Sequence, residues 1–221
     1  MTTTTSTTTV VSVPVPQRRA NDNVAGTSPD WRDAEPGLAR MSDVMIDIET
    51  LGTKPGAAIL SIGAVMFGMD GLGDTFYAPI DLESCTSAGL TINPATVRWW
   101  LQQSDAARAA AIPPKAAPLR QVLMAFQAWF VSQDAKYPWC HGATFDVPIL
   151  DAAYHACRLA SPWKFSAVRD TRTLYDLAGV KVDRHAGTYH HALDDAINQA
   201  EAAARALRIV HVNKTMNEAQ S

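Results

Sequence analysis

Apolar residues alternate with acids through Val44-Met45-Ile46-Asp47-Ile48-Glu49, which runs on into Thr50-Leu51-Gly52-Thr53. Side chains on a β-strand point to opposite faces in turn, so positions two apart share a face. Val44, Ile46 and Ile48 then face one side of a strand, and Met45, Asp47 and Glu49 the other. The run from Ala57 to Phe67 is almost wholly apolar and reads as a buried strand. Asp70-Gly71-Leu72-Gly73 supplies a turn, and Asp74 to Ile80 reads as a third strand. The short connections predict an antiparallel meander with the acidic strand at one end.

From Asn93-Pro94 the period becomes helical. Asn93 can cap, Pro94 suits a first helical position, and Val97, Trp100 and Leu101 form an apolar stripe. Residues 117–132 repeat the pattern with Leu119, Val122, Leu123, Phe126, Trp129 and Phe130, after a break at Ile112-Pro113-Pro114. Tyr137 to Cys140 reads as a short strand ending in a turn at Gly142. A helix from Phe145 to Leu159 follows, then a short element at Val168 to Thr171. The last helix is expected over Ala192 to Ile209, with Ala192, Ala196, Ala200 and Ala203 on closely packed faces. Strands first, then helices interleaved with short strands, predict a mixed-sheet α/β domain.

Residues 1–40 stand apart. They are rich in Thr, Ser, Pro and Asn and show no apolar period, so a disordered or loosely attached tail is expected there. The globular domain is assigned to 41–212 and a C-terminal tail to 213–221. Of the 221 residues, 47% are hydrophobic and 19% charged, the balance of an ordinary globular protein. No apolar run reaches the about 18 residues of a membrane span, and no signal-peptide core follows the first residues. Cys85, Cys140 and Cys157 lack metal-type spacing and read as buried thiols in a reducing cytoplasm, of a bacterium or a phage-infected cell. The net charge of −3 argues against a broadly basic nucleic-acid surface. It leaves room for a small acidic site that needs cations and grips only a strand end.

The chemistry concentrates in three segments. Two carboxylates on one face of a core strand repel each other and lose hydration, and a hard divalent cation such as Mg²⁺ or Mn²⁺ compensates both costs. The alternative is an edge strand with its polar face in solvent. Asp146 falls at a helix start just after a strand, where a capping acid is equally at home. In Tyr189-His190-His191-Ala192-Leu193-Asp194-Asp195, the pairs His190 with Asp194 and His191 with Asp195 have i, i+4 spacing. His190 and Asp195 are about 140° apart on an ideal helix and converge only if His190 precedes it. Spacing does not choose among these pairs. Four acids and a histidine, each near the end of an element, suit a site at the carboxyl edge of the sheet.

Taken together, Met45-Ile46-Asp47-Ile48-Glu49-Thr50-Leu51-Gly52, Gly142-Ala143-Thr144-Phe145-Asp146, Arg169-Asp170-x-Arg172-Thr173 and His190-x-Ala192-x-x-Asp195 resemble the DEDD superfamily of 3′-to-5′ exonucleases, in the branch with a histidine base. The likeness covers 43 to about 205, and within that branch it points to the exodeoxyribonucleases of T-even-type phages and related bacterial exoribonucleases. It implies a ribonuclease-H-like fold, with an antiparallel meander followed by parallel strands and flanking helices. It implies hydrolysis from a 3′ end to nucleoside 5′-monophosphates with two divalent cations, Mg²⁺ or Mn²⁺, held by Asp47, Glu49, Asp146 and Asp195. His190 is the general base in this assignment, and His191 and Asp194 are its neighbours. Thr50 and Leu51 would touch the terminal nucleotide and Phe145 would stack on a base, with core packing the alternative for Leu51 and Phe145. Asp170 and Arg172 would support the site or contact phosphate, with a surface ion pair as the alternative. Trp99, Trp100, Trp129, Trp139 and Trp163 are expected in the core.

The expected partner is a single-stranded 3′ end, DNA ahead of RNA, with no membrane; a homodimer is compatible with the sequence. Trimming of RNA 3′ ends and a partner-bound proofreading subunit are the competing functions. A catalytically dead binding module would show a broken acid set, and all five positions are filled.

Overall fold

The computed structural model describes residues 41–183 and 187–218. The tail expected over 1–40 lies outside the described residues, as do 219–221. β1 (Asp43–Thr50), β2 (Ile59–Gly68) and β3 (Gly71–Asp81) form the expected antiparallel meander. The full sheet has six strands in the order β4-β3-β2-β1-β5-β6, where β4 is Ala117–Pro118, β5 is Tyr137–Cys140 and β6 is Arg169–Asp170. β5 runs parallel to both β1 and β6. The acidic strand β1 therefore closes one end of the meander yet sits inside the sheet, paired on both sides.

The alternation in β1 sorts its side chains into two layers. Val44, Ile46 and Ile48 join Ile62, Ala64 and Met66 beneath α4 (Leu119–Ser132) and α5 (Asp146–Ala156), whose Leu123, Phe126, Phe130, Ile149 and Tyr154 fill the larger core. Met45 joins Val65 and Phe67 on the opposite face, where Ala196, Ala200 and Ala203 of α7 (Ala192–Glu218) close a smaller one. Alanine on that face brings the helix axis near the sheet, because only a methyl group separates the two backbones. At the start of α7 even a methyl is too large. A Cβ on Gly63 would lie 2.2 Å from the carbonyl carbon of Ala192 and 2.3 Å from the nitrogen of Leu193. Gly63 is the register partner of Asp47 across β1 and β2, so this contact seats the first turn of α7 beside the acidic strand.

Three helices were not expected from the apolar period: α1 (Leu82–Ser87), α3 (Asp105–Ala111) and α6 (Thr171–Ala178). Each is short, and each is held by a cap more than by a stripe. Asp81, Ser104 and Asp170 accept from the backbone N–H of Ser84, Ala107 and Thr173, and α6 ends at Gly179 with φ 66°. α2 (Pro94–Trp100) is capped by Asn93 as expected. α7 runs on to Glu218, past the expected end at Ile209 and into the stretch assigned to a tail. Cys85 and Cys140 are buried, whereas Cys157 is half-buried; all three are free thiols. Among the described residues no helix is long and apolar enough to cross a membrane.

Gly63→Ala should lower stability near the top of the about 1–3 kcal/mol range for overpacking, since backbone rather than a mobile side chain must give way. Thermal unfolding reads this directly. An unchanged melting temperature would mean that α7 is not seated on Gly63.

Candidate active site

Asp47 and Glu49 leave β1 on the face that α7 covers, and they meet the start of that helix. Gln199, two turns along α7, donates its side-chain N–H to Asp47 Oδ1 at 2.8 Å. Glu49 is only 8% exposed. Asp195, in the first turn of α7, brings a third carboxylate to the same place. One oxygen each from Glu49 and Asp195 and one ring nitrogen of His190 lie within 4.8 Å of one another.

Asp146 arrives from the other side. The parallel register of β1 with β5 spans Asp43 to Met45, after which the strands part. Ile48 lies beyond that register, and its N–H donates to Asp146 Oδ1 at 3.3 Å. The acid at the head of α5 therefore reaches back to the acidic strand; α5 itself has Phe145 at its N-cap and no side-chain capping bond. Asp146 is 4% exposed.

The pairing that spacing left open is resolved by the backbone. His190 precedes α7 and has φ 62°, a left-handed conformation uncommon for a residue with a side chain. The turn lets the His190 N–H donate to Asp195 Oδ2 at 3.1 Å, and sets Nδ1 4.0 Å from Glu49 Oε1. His191 and Asp194 are turned to each other instead, with Nδ1 to Oδ2 at 3.4 Å, and Asp194 also accepts from Thr188 N–H. The His191 ring packs on Tyr77 with centroids 4.4 Å apart.

Burial and mutual repulsion make this cluster hard to ionise. Burial, then the charges of Asp195 and Asp146, push Glu49 up to about 8. Burial pushes Asp146 up to about 7, against the pull of the Ile48 N–H, its own N–H and the Arg172 charge. Asp47 is raised well above the usual carboxyl range by burial and then by Asp146, Glu49 and Asp195, with Gln199 opposing. Oxygen donors held this close, with no side-chain cation at the centre to neutralise them among the described residues, fit hard divalent ions.

A cleft of about 420 Å³ opens on the Glu49 side, lined among others by Thr50, Asn93, Thr96, Trp99, Trp100 and Phe145. Thr50 and Phe145, expected to touch substrate, are on its wall. Leu51 is not: it is 3% exposed within the larger core, its N–H bonds to Ala58 and its carbonyl accepts from Asn93. Trp100, 3% exposed, donates its indole N–H to the Thr50 carbonyl at 2.9 Å. Trp99 is 41% exposed, and its ring stands edge-on to His190 with centroids 4.8 Å apart. Trp139 and Trp163 are in the two cores and Trp129 packs against the larger one, as expected. Trp99 departs because it and Trp100 are adjacent on a short helix, and only one can face inward. Gln199 and Asn198 were not anticipated either; they sit among alanines in α7 and carry no motif, although two amides on an otherwise apolar face were a signal.

Asp170 caps α6 and accepts from Ala143 N–H at 2.6 Å, tying that helix to the turn before Asp146. Burial raises its carboxyl, but the N–H groups of Ala143, Thr173 and Arg172 outweigh it and hold the group below its ordinary value. No ion pair joins it to Arg172 among the described residues.

No curated protein matches the chain. Among solved structures, it is similar to a product-bound exonuclease I, with 14% identity and a TM-score of 0.50, covering 77% of this chain and 43% of that one. A complex of E. coli exonuclease I with a 5cy-dA13 oligonucleotide gives 14% identity and 0.50, covering 77% and 40%. The chain thus spans less than half of exonuclease I, and this likeness shows the fold, a ribonuclease-H-like exonuclease sheet. Exonuclease X in complex with 5′-overhanging duplex DNA matches at 17% identity with a TM-score of 0.46, covering 77% and 92%. The model of the 3′-5′ exoribonuclease Rv2179c-like domain matches residues 42–207, from the start of β1 into α7. That span takes in every element bearing the acids and His190, and on it the chain belongs to the 3′-5′ exoribonuclease Rv2179c-like domain family and is a 3′-5′ exonuclease.

Proposed function

We propose that this protein removes nucleotides one at a time from the 3′ end of single-stranded nucleic acid, with RNA preferred, using Asp47, Glu49, Asp146 and Asp195 to hold two divalent cations and His190 as general base. The observation that carries the reading is the convergence of Glu49, Asp195 and His190 within 4.8 Å beside Asp47 and the Ile48–Asp146 contact. The family description favours RNA over the DNA expected from the sequence. Telling the two polymers apart depends on contacts to the 2′-hydroxyl, which no motif announces.

Mg²⁺ or Mn²⁺ bound by these acids would supply Lewis-acid activation of water and neutralise charge on the departing 3′ oxygen. The chain's own groups do the rest. A neutral imidazole can take a proton from water, which suits His190. Its backbone is tied to Asp195 and its ring is flanked by Trp99, so its position is set before substrate arrives. Trp99 and Phe145 offer aromatic surface for the terminal base, and stacking accepts any base. Thr50, on the same wall, donates its hydroxyl proton to the Gly52 carbonyl at 2.6 Å, so its oxygen remains an acceptor. Leu51 supports this wall from within the core.

A time course on matched 5′-labelled RNA and DNA, with Mg²⁺, Mn²⁺ or EDTA, tests the reading. A metal-dependent ladder shortening from the 3′ end, faster on RNA, is expected; intact strands under every metal condition would sink it, and faster DNA cleavage would reverse the substrate order. Asp195→Asn should lower kcat by at least about a thousandfold with the fold intact, judged by circular dichroism, because removing one charge from a like-charged cluster relieves repulsion. His190→Ala should lose far more turnover than His191→Ala, whose side chain is engaged with Asp194; the opposite order would mean the wrong histidine has been assigned.

Metal and pH are linked through the raised carboxyls. Between the ordinary value of 4.5 for Glu49 and its folded value of about 8, the metal-free folded state holds protons that the unfolded chain has released. Metal-free stability should therefore fall as pH rises through that window and level off above it. Mg²⁺ should raise the melting temperature more at pH 8 than at pH 5.5, where protons compete for the same oxygens. A pH-independent metal effect would dissociate the cation from these acids.

A further inference from the structure

The acidic cluster has a second flank. Apart from the aromatic cleft, a cavity of about 150 Å³ is bounded by His190, Asp195, Asn198, Gln199 and His141. His141 and Val182 also line a neighbouring groove of about 390 Å³ that reaches Arg172, Tyr175 and Lys181. The shared wall sets the groove next to the cavity at the carboxylates. A strand whose last base stacks beside Trp99, and whose scissile phosphate lies at the acids, has its remaining nucleotides to place, and among the described residues this groove adjoins the acids.

We propose that this groove is the exit path for the strand 5′ to the cut, and that Arg172 grips a backbone phosphate there. The inference rests on the exonuclease reading of the same site. Arg172 belongs to the first turn of α6 and is exposed. Its guanidinium lies against Gly142, where an added Cβ would come within 3.4 Å of Cζ and 3.5 Å of Nη1. Gly142 has φ 115°, so one residue provides both the turn after β5 and the room for the arginine. The charge is near enough to Asp146 to draw its carboxyl down, yet Arg172 makes no ion pair or side-chain hydrogen bond among the described residues. Its donors are thus available to a phosphate, which guanidinium matches with two parallel hydrogen bonds. Lys181 adds a second positive charge to the groove and Asp176 a single opposing one. Tyr175 gives its hydroxyl proton to the Gln199 carbonyl at 2.6 Å, which leaves recognition of an anion to the cations. In a chain of net charge −3, this positive wall next to an acidic centre is where a polyanion can settle. The ligand is the phosphodiester common to RNA and DNA.

Fluorescence anisotropy with a 5′-labelled single strand of about ten nucleotides, in Ca²⁺ and at several salt concentrations, measures the contact without turnover. Arg172→Ala should weaken binding about tenfold and flatten the log Kd against log salt slope by about 0.7, the share of one phosphate contact on a single strand. Arg172→Lys should recover most of the slope, because a point charge still neutralises the phosphate. Unchanged affinity and slope in the alanine variant would overturn the assignment. In steady-state cleavage the loss should fall on KM; a loss confined to kcat would instead assign Arg172 to the Asp146 carboxylate and also overturn it. A wild-type protein that binds the strand but does not shorten it would defeat the exonuclease reading, and the anisotropy slopes would still decide the groove.

Discussion

With no side chain at Gly63, the backbone of Ala192 and Leu193 rests directly on β2, and the site is organised by that contact. Gly63 pairs with Asp47 in the sheet, so the first turn of α7 is delivered to the acidic strand and nowhere else. Asp195 and the preceding His190 come with it. The alanines farther along the helix keep the same short separation between helix and sheet, and Gln199 is thereby near enough to reach Asp47. Close packing here sets the spacing of charged groups that are far apart in the chain.

The fold carries two costs at this place. Three carboxyls are held where ionisation is resisted, Asp146 by burial and Asp47 and Glu49 by burial and by the neighbouring carboxylates. His190 occupies a left-handed backbone conformation that costs on the order of 1 kcal/mol for a residue with a Cβ. Neither feature helps the apo protein fold. Both fit the site of a metal-dependent nuclease, and strain of this kind concentrates where chemistry is done.

The surroundings of the cluster are asymmetric. On one flank Trp99, Trp100 and Phe145 form an apolar wall, and on the other Arg172 and Lys181 look across a polar groove. An aromatic wall accepts a base without reading its identity, and a cationic wall accepts backbone without reading sequence. An enzyme that trims strand ends needs both and needs no base-specific contact.

Much of this was written locally. The alternation in β1 determined which face carries Asp47 and Glu49, because side-chain direction in a strand follows from position alone. The family resemblance carried by the motifs named Asp47, Glu49, Asp146, Asp195 and His190, and the structure brings these five to one place. Short helices were less legible: α6 buries only Thr171, Leu174 and Tyr175, so its existence depends on the Asp170 cap and Gly179 more than on any apolar period. Spacing alone allowed three pairings for the histidines; the resemblance chose His190 with Asp195, and the positive φ of His190 is what brings the two together. The split between Trp99 and Trp100, the role of Gln199 and the approach of Arg172 to Asp146 were decided only by tertiary structure. The two tryptophans are split by which side of a short helix meets the core, whereas Gln199 and Arg172 reach their acids across segments far apart in the chain, brought close at Gly63 and Gly142, where a residue's meaning lies in the side chain it lacks.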